Sequence, residues 1–427
     1  MSKKKTLFFS KLGVDIVPLI MEVNTTDTSS AVSASDSIIL PFDEGNTVNL
    51  QIDWGDGTPL EPYTNTNNIC SHQYSIGGLY DIKIYNLNGV SRIPWNITNV
   101  ATNRRDYSKF YDLKQFGDCE IYQLNNTDIS TFLNCRNLDI TATDIAERCI
   151  DLCVNVNRLF TNCSIVQAKN SANWDTSNII NFEVTFQRNL NINIDCSNWE
   201  MSQVETIFAI FNESLGVNPD VTNWDISSSC IDISIAFQSL GNFERNLSNW
   251  NVSGVETMSF TFRNCTSFTG QGLDTWVTSA LKYLRSTFNN CSNFNQDLSS
   301  WNFSNVIDMT DWGKLWGMDT NNYDLLLLSL SAQSLNSNLT SVVMSSKYTA
   351  GEVTNGVTDG ANTNKLIDST QNFTSTVNVG DIIKKASNYA EVVSVDSNTE
   401  LTLDANIMLS GNTYSVESSN VAKARYF

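Results

Sequence analysis

Six tryptophans recur at an almost fixed interval: Trp174, Trp199, Trp224, Trp250, Trp276 and Trp301 stand 25, 25, 26, 26 and 25 residues apart. A period of that size confines a chain to a stack of small units, because a single unit cannot bury its apolar face until neighbours lie on it. Other apolar positions keep the same step. Phe186, Phe211, Phe262 and Phe288 come twelve residues after their Trp, and Phe237 comes one place late after Trp224. The extra residue falls in Ser227-Ser228-Ser229, since Cys230 and Ile233 are also one place later than Val204 and Ile207. Run backwards, the Phe position continues through Phe160 and Phe132, each followed three residues later by a cysteine, Cys163 and Cys135, as Cys265 and Cys291 follow Phe262 and Phe288. The array thus spans 132–316, and its first two units lack the Trp, as end caps do.

Within a unit, Val255 and Met258, or Val306 and Met309, lie five and eight residues after their Trp with polar neighbours. That spacing predicts a brief strand leading into an irregular or helical arc, with strands of adjacent units pairing about 4.7 to 4.9 Å apart. The dense Asn, Ser and Thr between the apolar anchors can hydrogen-bond a turning backbone, so they read as scaffold. The indole and phenyl rings read as core, because six regularly exposed Trp would make an unusually large apolar patch.

The fullest units, NLSNWNVSGVETMSFTFRNCTSFTG from Asn246 to Gly270 and SNFNQDLSSWNFSNVIDM from Ser292 to Met309, resemble the BspA-like leucine-rich repeat family. NWDTSN from Asn173, NWDIS from Asn223 and FNQDLSSW from Phe294 match its unit closely. The resemblance implies a right-handed solenoid of about 25-residue coils with a short strand per coil, and a protein that binds host proteins or neighbouring cells.

Ahead of the array the pattern changes to two-residue alternation. Val48, Leu50 and Ile52 alternate with polar residues, Asp53-Trp54-Gly55-Asp56-Gly57-Thr58 supplies a turn, and Leu79, Ile82 and Ile84 resume strand spacing. A small β-sandwich is the expectation. QIDWGDGTP followed by SHQYSIGGLYDIKIYNLNG is similar to PKD-type, Ig-like domains, with Trp54, Asp56, Gly57, His72, Tyr74, Gly78 and Tyr80 at the matching positions. After the array, short strands punctuated by Gly, Asn and Asp, from Asn364 through Asp381-Ile382-Ile383 and Val392-Val393 to Leu403, predict a compact β-barrel or β-roll. NKLIDSTQNFTSTVNVGDII and EVVSVDSNTELTLDANI resemble modules that recur in bacteriophage structural proteins. The expected organisation is therefore mainly β: an N-terminal attachment arm over 1–34, a PKD-like sandwich over 35–95, the capped solenoid over 96–345 and a small β domain over 346–427.

Charge and motif content narrow the function. With 26 basic against 45 acidic residues and a net charge of −19, the chain is a poor partner for nucleic acid or anionic membrane. The N-terminal MSKKKTLFFSKLGVDIVPLIMEV has lysines before an apolar run, but Lys11 and Asp15 interrupt it, which reads against a secretory signal. Leu325–Leu330 is far shorter than the ~20 residues a spanning helix needs. The cysteines that share one repeat position read as reduced, buried thiols, and Cys149 and Cys153 could share a helical face. His72 is the single histidine, so any Ser-His-Asp or Cys-His device would have to be built on it; its context favours a structural hydrogen bond. Asp53 and Asp56 offer hard oxygens to Ca²⁺, against the plainer reading of an Asx-type turn that caps backbone amides. No other cofactor is expected.

These readings point to a part and not to an enzyme. The expectation is a structural or adhesive component of a bacteriophage virion, a tail or capsid-surface fibre, whose partners are other virion proteins and a host cell-surface protein or glycan. A homo-oligomer, a trimer if fibre-like, is compatible with this. The alternatives are a bacterial cell-surface adhesin of the BspA-like type and a carbohydrate-active enzyme whose repeats hold its substrate.

Overall fold

The computed structural model describes residues 16–87, 91–93, 106–121, 132–142, 155–339 and 344–417, with shorter undescribed stretches inside most of these ranges. Cys149 and Cys153 lie outside them. The fold is mainly β with few helices. Among the described residues, no helix is long and apolar enough to cross a membrane.

Ten short strands precede and open the repeats: β1 (Leu19–Asn24), β2 (Ser37–Leu40), β3 (Thr47–Asp53), β4 (Glu61–Asn65), β5 (Cys70–Gln73), β6 (Leu79–Asn86), β7 (Ser91–Ile93), β8 (Phe110–Gln115), β9 (Cys119–Ile121) and β10 (Asp139–Ile140). One sheet has the order β10-β8-β1-β6-β3-β4, and β2 pairs with β5 in a second. Alternation decides what each face buries: in β1, Leu19, Met21 and Val23 point inwards while their neighbours are half-buried. The stretch expected to be an arm therefore supplies a strand held on both sides, by β6 and by β8. Its residues 1–15 are outside the described set.

The same sheet starts the repeats. β10 pairs in parallel with β8, Thr141 donates from its amide and hydroxyl to Asp112, and Ile140 bridges in parallel to Ala168, which bridges to Ile194. A second parallel ladder climbs one residue per repeat, Asn155, Asn181, Thr206, Asp232, Thr257, Tyr283, Asp308. Each unit was expected to contribute a short strand, and here it is a single bridging residue. The reason lies in the backbone just beyond it. In the units from Val156 to Asn290 the amides at alternate positions donate to the next unit, as from Phe182, Val184, Phe186 and Arg188 to Thr206, Phe208, Ile210 and Asn212. The amides between them close turns onto the third residue back, as Thr185 does to Phe182 and Gln187 to Val184. Two residues per unit take left-handed conformations to allow this, among them Val184 (φ 60), Arg188 (φ 59), Ile235 (φ 62), Phe260 (φ 61) and Asn264 (φ 63). Such angles are costly for bulky and β-branched side chains, and extended pairing cannot propagate through them.

The last unit contains β11 (Gly313–Lys314), and after it come helix α1 (Thr320–Ala332) and β12 (Met344–Ser345), which pairs with β11. Asp319 caps α1 by accepting from the Asn322 amide at 2.9 Å, and Leu326, Leu327 and Leu330 are buried. The helix end takes the place of a further repeat. Gln333 accepts from the Phe303 amide at 2.7 Å and donates to the Trp301 carbonyl at 2.8 Å, while Ser329 donates to the Ser299 carbonyl at 2.7 Å. Backbone groups of the last unit are thus satisfied by side chains of the closing helix and the residue after it.

The C-terminal part has its own core, including Leu366, Ile383, Val392, Leu401 and Val416. Its strands are β13 (Thr354–Val357), β14 (Gly360–Asn362), β15 (Lys365–Ile367), β16 (Ile382–Lys385), β17 (Asn388–Ser397), β18 (Glu400–Leu403) and β19 (Thr413–Glu417), with the short helix α2 (Phe373–Thr376). They form one sheet in the order β13-β19-β16-β17-β18-β15-β14. The expected barrel is not closed: among the described residues no ladder joins β13 to β14. Two residues separate β13 from β14 in the sequence, so the end of one edge strand lies within roughly 10 Å of the start of the other. Both edge strands are short, which leaves little backbone with which to complete the seam.

Candidate functional site

The repeat rings form two continuous columns. Successive Trp centroids from Trp174 to Trp301 lie 5.8, 6.2, 6.0, 6.2 and 5.9 Å apart with planes within 16° of parallel. Phe186, Phe211, Phe237, Phe262 and Phe288 repeat at 5.6, 6.2, 5.8 and 5.8 Å, continued upstream by Phe160 and Phe132. All of these rings are buried. Near-parallel planes at such separations are offset stacks, the arrangement the ring quadrupole favours. A third column, Phe243, Phe268 and Phe294, packs against the Phe column with centroids 4.3 to 4.4 Å from it. Sequence reasoning missed it, although Phe243, Phe268 and Phe294 each come six residues after Phe237, Phe262 and Phe288.

Five of the six column indoles also make a polar contact that phenyl could not. Trp199, Trp224, Trp250, Trp276 and Trp301 donate from Nε1, at 2.7 to 2.9 Å, to the carbonyls of Ser171, Cys196, Val221, Leu247 and Leu273 in the preceding unit. The position three residues after the Phe works the same way. Cys163, Cys265 and Cys291 donate their thiols to the carbonyls of Phe132, Phe237 and Phe262, and Asn189 and Ser214 replace them with amide and hydroxyl donors to Phe160 and Phe186. Donor capacity, not sulfur chemistry, is what these five residues share; after Phe237 the position holds Leu240, buried and without a side-chain donor. Seven cysteines among the described residues are buried thiols outside any disulfide. Burial pushes the Cys230 thiol up to about 12 and holds Cys265 and Cys291 well above the ordinary thiol range.

At the last unit the Phe position is taken by Gly313. A Cβ there would lie 2.6 Å from ring atoms of Trp316, which fills the space a phenyl would occupy and stacks on Phe294 at 5.7 Å.

In the N-terminal part, the residues marked by the WGDGT and HxY motifs converge on one another. Trp54 stacks on His72 at 4.8 Å, His72 meets the Tyr74 ring edge-on at 4.6 Å, and Tyr74 stacks on Tyr80 at 3.9 Å. The Tyr74 hydroxyl donates to the Trp54 carbonyl at 3.1 Å and Trp54 Nε1 donates to Glu61 at 2.7 Å. Asp56 accepts from the Thr58 amide and hydroxyl with one oxygen and contacts His72 Nε2 at 2.8 Å with the other. Burial alone would raise the Asp56 pKa, but the hydrogen bonds from Thr58 and His72 outweigh it and bring it down to about 2. Asp53 accepts from the Gly55 amide at 3.0 Å and pairs with Lys83 at 2.9 Å. Both carboxylates thus form Asx turns. Gly55, at φ +81, must be glycine because a Cβ would lie 2.6 Å from the Asp81 carbonyl oxygen; Gly57, at φ +87, completes the turn.

Sequence reasoning also passed over Lys109, which is fully buried. Its ammonium donates to the carbonyls of Ser33, Ala34 and Ser37 and to the Ser33 hydroxyl, at 2.6 to 3.3 Å, and burial lowers its pKa. It pins the 33–37 loop beside Asp106, which accepts from the amides of Ser33 and Ile39.

The outer wall of the stack carries a groove of about 330 Å³ at the loops that surround Trp199 and Trp224, with Asn198, Glu200, Met201, Ser202, Asn223 and Asp225 among its walls. In it, polar side chains from two adjacent units surround a defined space.

A family described as Mycoplasma protein of unknown function, DUF285, matches the chain twice, over residues 127–231 and 216–317. The two matches together cover the stacked repeats and leave both flanking parts outside. No curated protein and no solved structure matches this sequence.

Proposed function

We propose that this chain is a non-enzymatic recognition component of a bacteriophage virion, a tail or capsid-surface fibre or adhesin, whose repeats form a leucine-rich-repeat-like right-handed solenoid of the BspA type. In this reading the N-terminal sheets are a PKD-like sandwich, and a terminal part attaches the chain to the particle. The observation that carries the proposal is the ladder of parallel bridges from Asn155 to Asp308, covered at one end by β8 and β10 and at the other by α1. Such a ladder supports a rigid wall whose outer side chains recur once per unit, the surface from which repeat proteins bind extended partners. Covered ends favour a discrete rod over a filament growing end to end. Mass spectrometry of purified particles tests the assignment: the chain should be present at a fixed ratio to the major capsid or tail protein, and its absence would discard the virion reading.

The family match supports a second reading, a bacterial cell-surface adhesin, because that family is described from a cellular organism. Genes for capsid, portal or tail proteins beside this one favour the first. A longer native N-terminus with an export signal favours the second.

A further inference from the structure

We infer that the groove at Trp199 and Trp224 binds an uncharged saccharide of one or two rings, an inference that rests on the recognition role proposed above and gives it a ligand class. Its basis is a contrast between equivalent positions. One residue after the Trp, Asp175, Asn251 and Asn302 are closed into Asx turns with Ser177, Ser253 and Ser304. One residue before it, Asn249, Thr275 and Ser300 are tied to the carbonyls of Thr222, Gly272 and Asp274, whereas Asn173, outside the groove, carries no such tie among the described residues. In the groove the Asx turns after the Trp stop. Glu200 stands where Asp or Asn makes the turn, and its carboxylate and the Ser202 hydroxyl have no partner among the described residues. Asp225, followed by the inserted serines, has none either among the described residues, from which Ser227 is excluded, and nor do the amides of Asn198 and Asn223.

The groove therefore presents two acceptor-only carboxylates and two amides that both donate and accept, from two adjacent units. Sugar hydroxyls donate and accept in the same mixture. A volume of about 330 Å³ is at the lower end of small-molecule sites, which suits one or two rings and not a folded partner. Two carboxylates on a chain of net charge −19 disfavour sialylated and uronic sugars.

The test is a printed array of neutral and anionic oligosaccharides probed with the full chain, then saturation-transfer NMR and calorimetry with the neutral disaccharide that binds best. Asn223→Ala combined with Asp225→Ala should weaken that affinity by roughly tenfold or more, as loss of hydrogen bonds that include a charged acceptor requires. Glu200→Ala should weaken it separately. Asn242→Ala, exposed and outside the groove, should leave it unchanged, and melting temperatures should be equal throughout. Equal affinity in the groove variants, or a preference for anionic sugars, would overturn the inference. If host cells bind the chain while no saccharide does, the groove assignment falls and the recognition role stands; if neither binds, both fall.

Discussion

Trp250 lies in the middle of the stack, and its replacement measures how far the repeats depend on one another. Its ring is 4% exposed, stacks on Trp224 at 6.0 Å and on Trp276 at 6.2 Å, and donates to the Val221 carbonyl at 2.9 Å. Trp250→Ala empties a large aromatic site with no mobile neighbour to refill it, which costs about 3 to 5 kcal/mol. Trp250→Phe keeps most of the stacking and loses the indole donor. The Val221 carbonyl still accepts from the Trp224 amide at 3.2 Å, so it is not left bare and the loss should be about 1 to 2 kcal/mol. Since the units couple mainly to their neighbours, the alanine variant should also divide urea unfolding into two steps, one for each side of the lesion. Near-UV circular dichroism and tryptophan fluorescence through the denaturant series report both quantities. A loss below about 1 kcal/mol for the alanine variant, or equal losses for Phe and Ala, would refute the reasoning that these rings are a shared core with a polar tie.

Gly313→Ala sets a methyl against the Trp316 ring and should cost about 1 to 3 kcal/mol, read as a lower melting temperature with a change in tryptophan emission. Because the folded Asp56 pKa is depressed, its contribution is present above the unfolded value of 3.8 and lost as pH falls through about 2; Asp56→Asn should flatten acid melting curves between about pH 4 and pH 2. The buried thiols should resist a maleimide reagent at pH 8 in the native protein and react in full in guanidinium, with Cys265 and Cys291 identified by peptide mapping.

The repeat was legible because Trp and Phe recur at fixed spacing, and the placement of the extra residue in Ser227–Ser229 agrees with Asp232 bridging one place later after its Trp than Thr206 does. What could not be read was how each unit turns. Left-handed angles at Val184, Ile235 and Phe260 go against the preferences of those residues, so no local signal announces them; they are imposed by hydrogen bonds to the next unit. The same holds for Gln333 and Ser329, which look like ordinary helix-end residues until the last unit lies beneath them. In the N-terminal part the motif residues were visible as a set, whereas Lys109 was not, because its acceptors lie more than seventy residues away in sequence. The groove followed from an exception to a pattern: Glu200 in place of Asp is a one-methylene change whose effect shows only when the other turns are seen to close.

The indole and thiol donors reach back to the unit before, and the alternating amides reach forward to the unit after. A fragment of a unit grafted or deleted would strand donors in both directions, while a whole extra copy would be accepted without disturbing either neighbour. Ancestral lengthening of this molecule should therefore have proceeded by duplication in complete multiples of the period, leaving single-residue drift to the surface loops, where the texture of the wall can change and the spine does not register it.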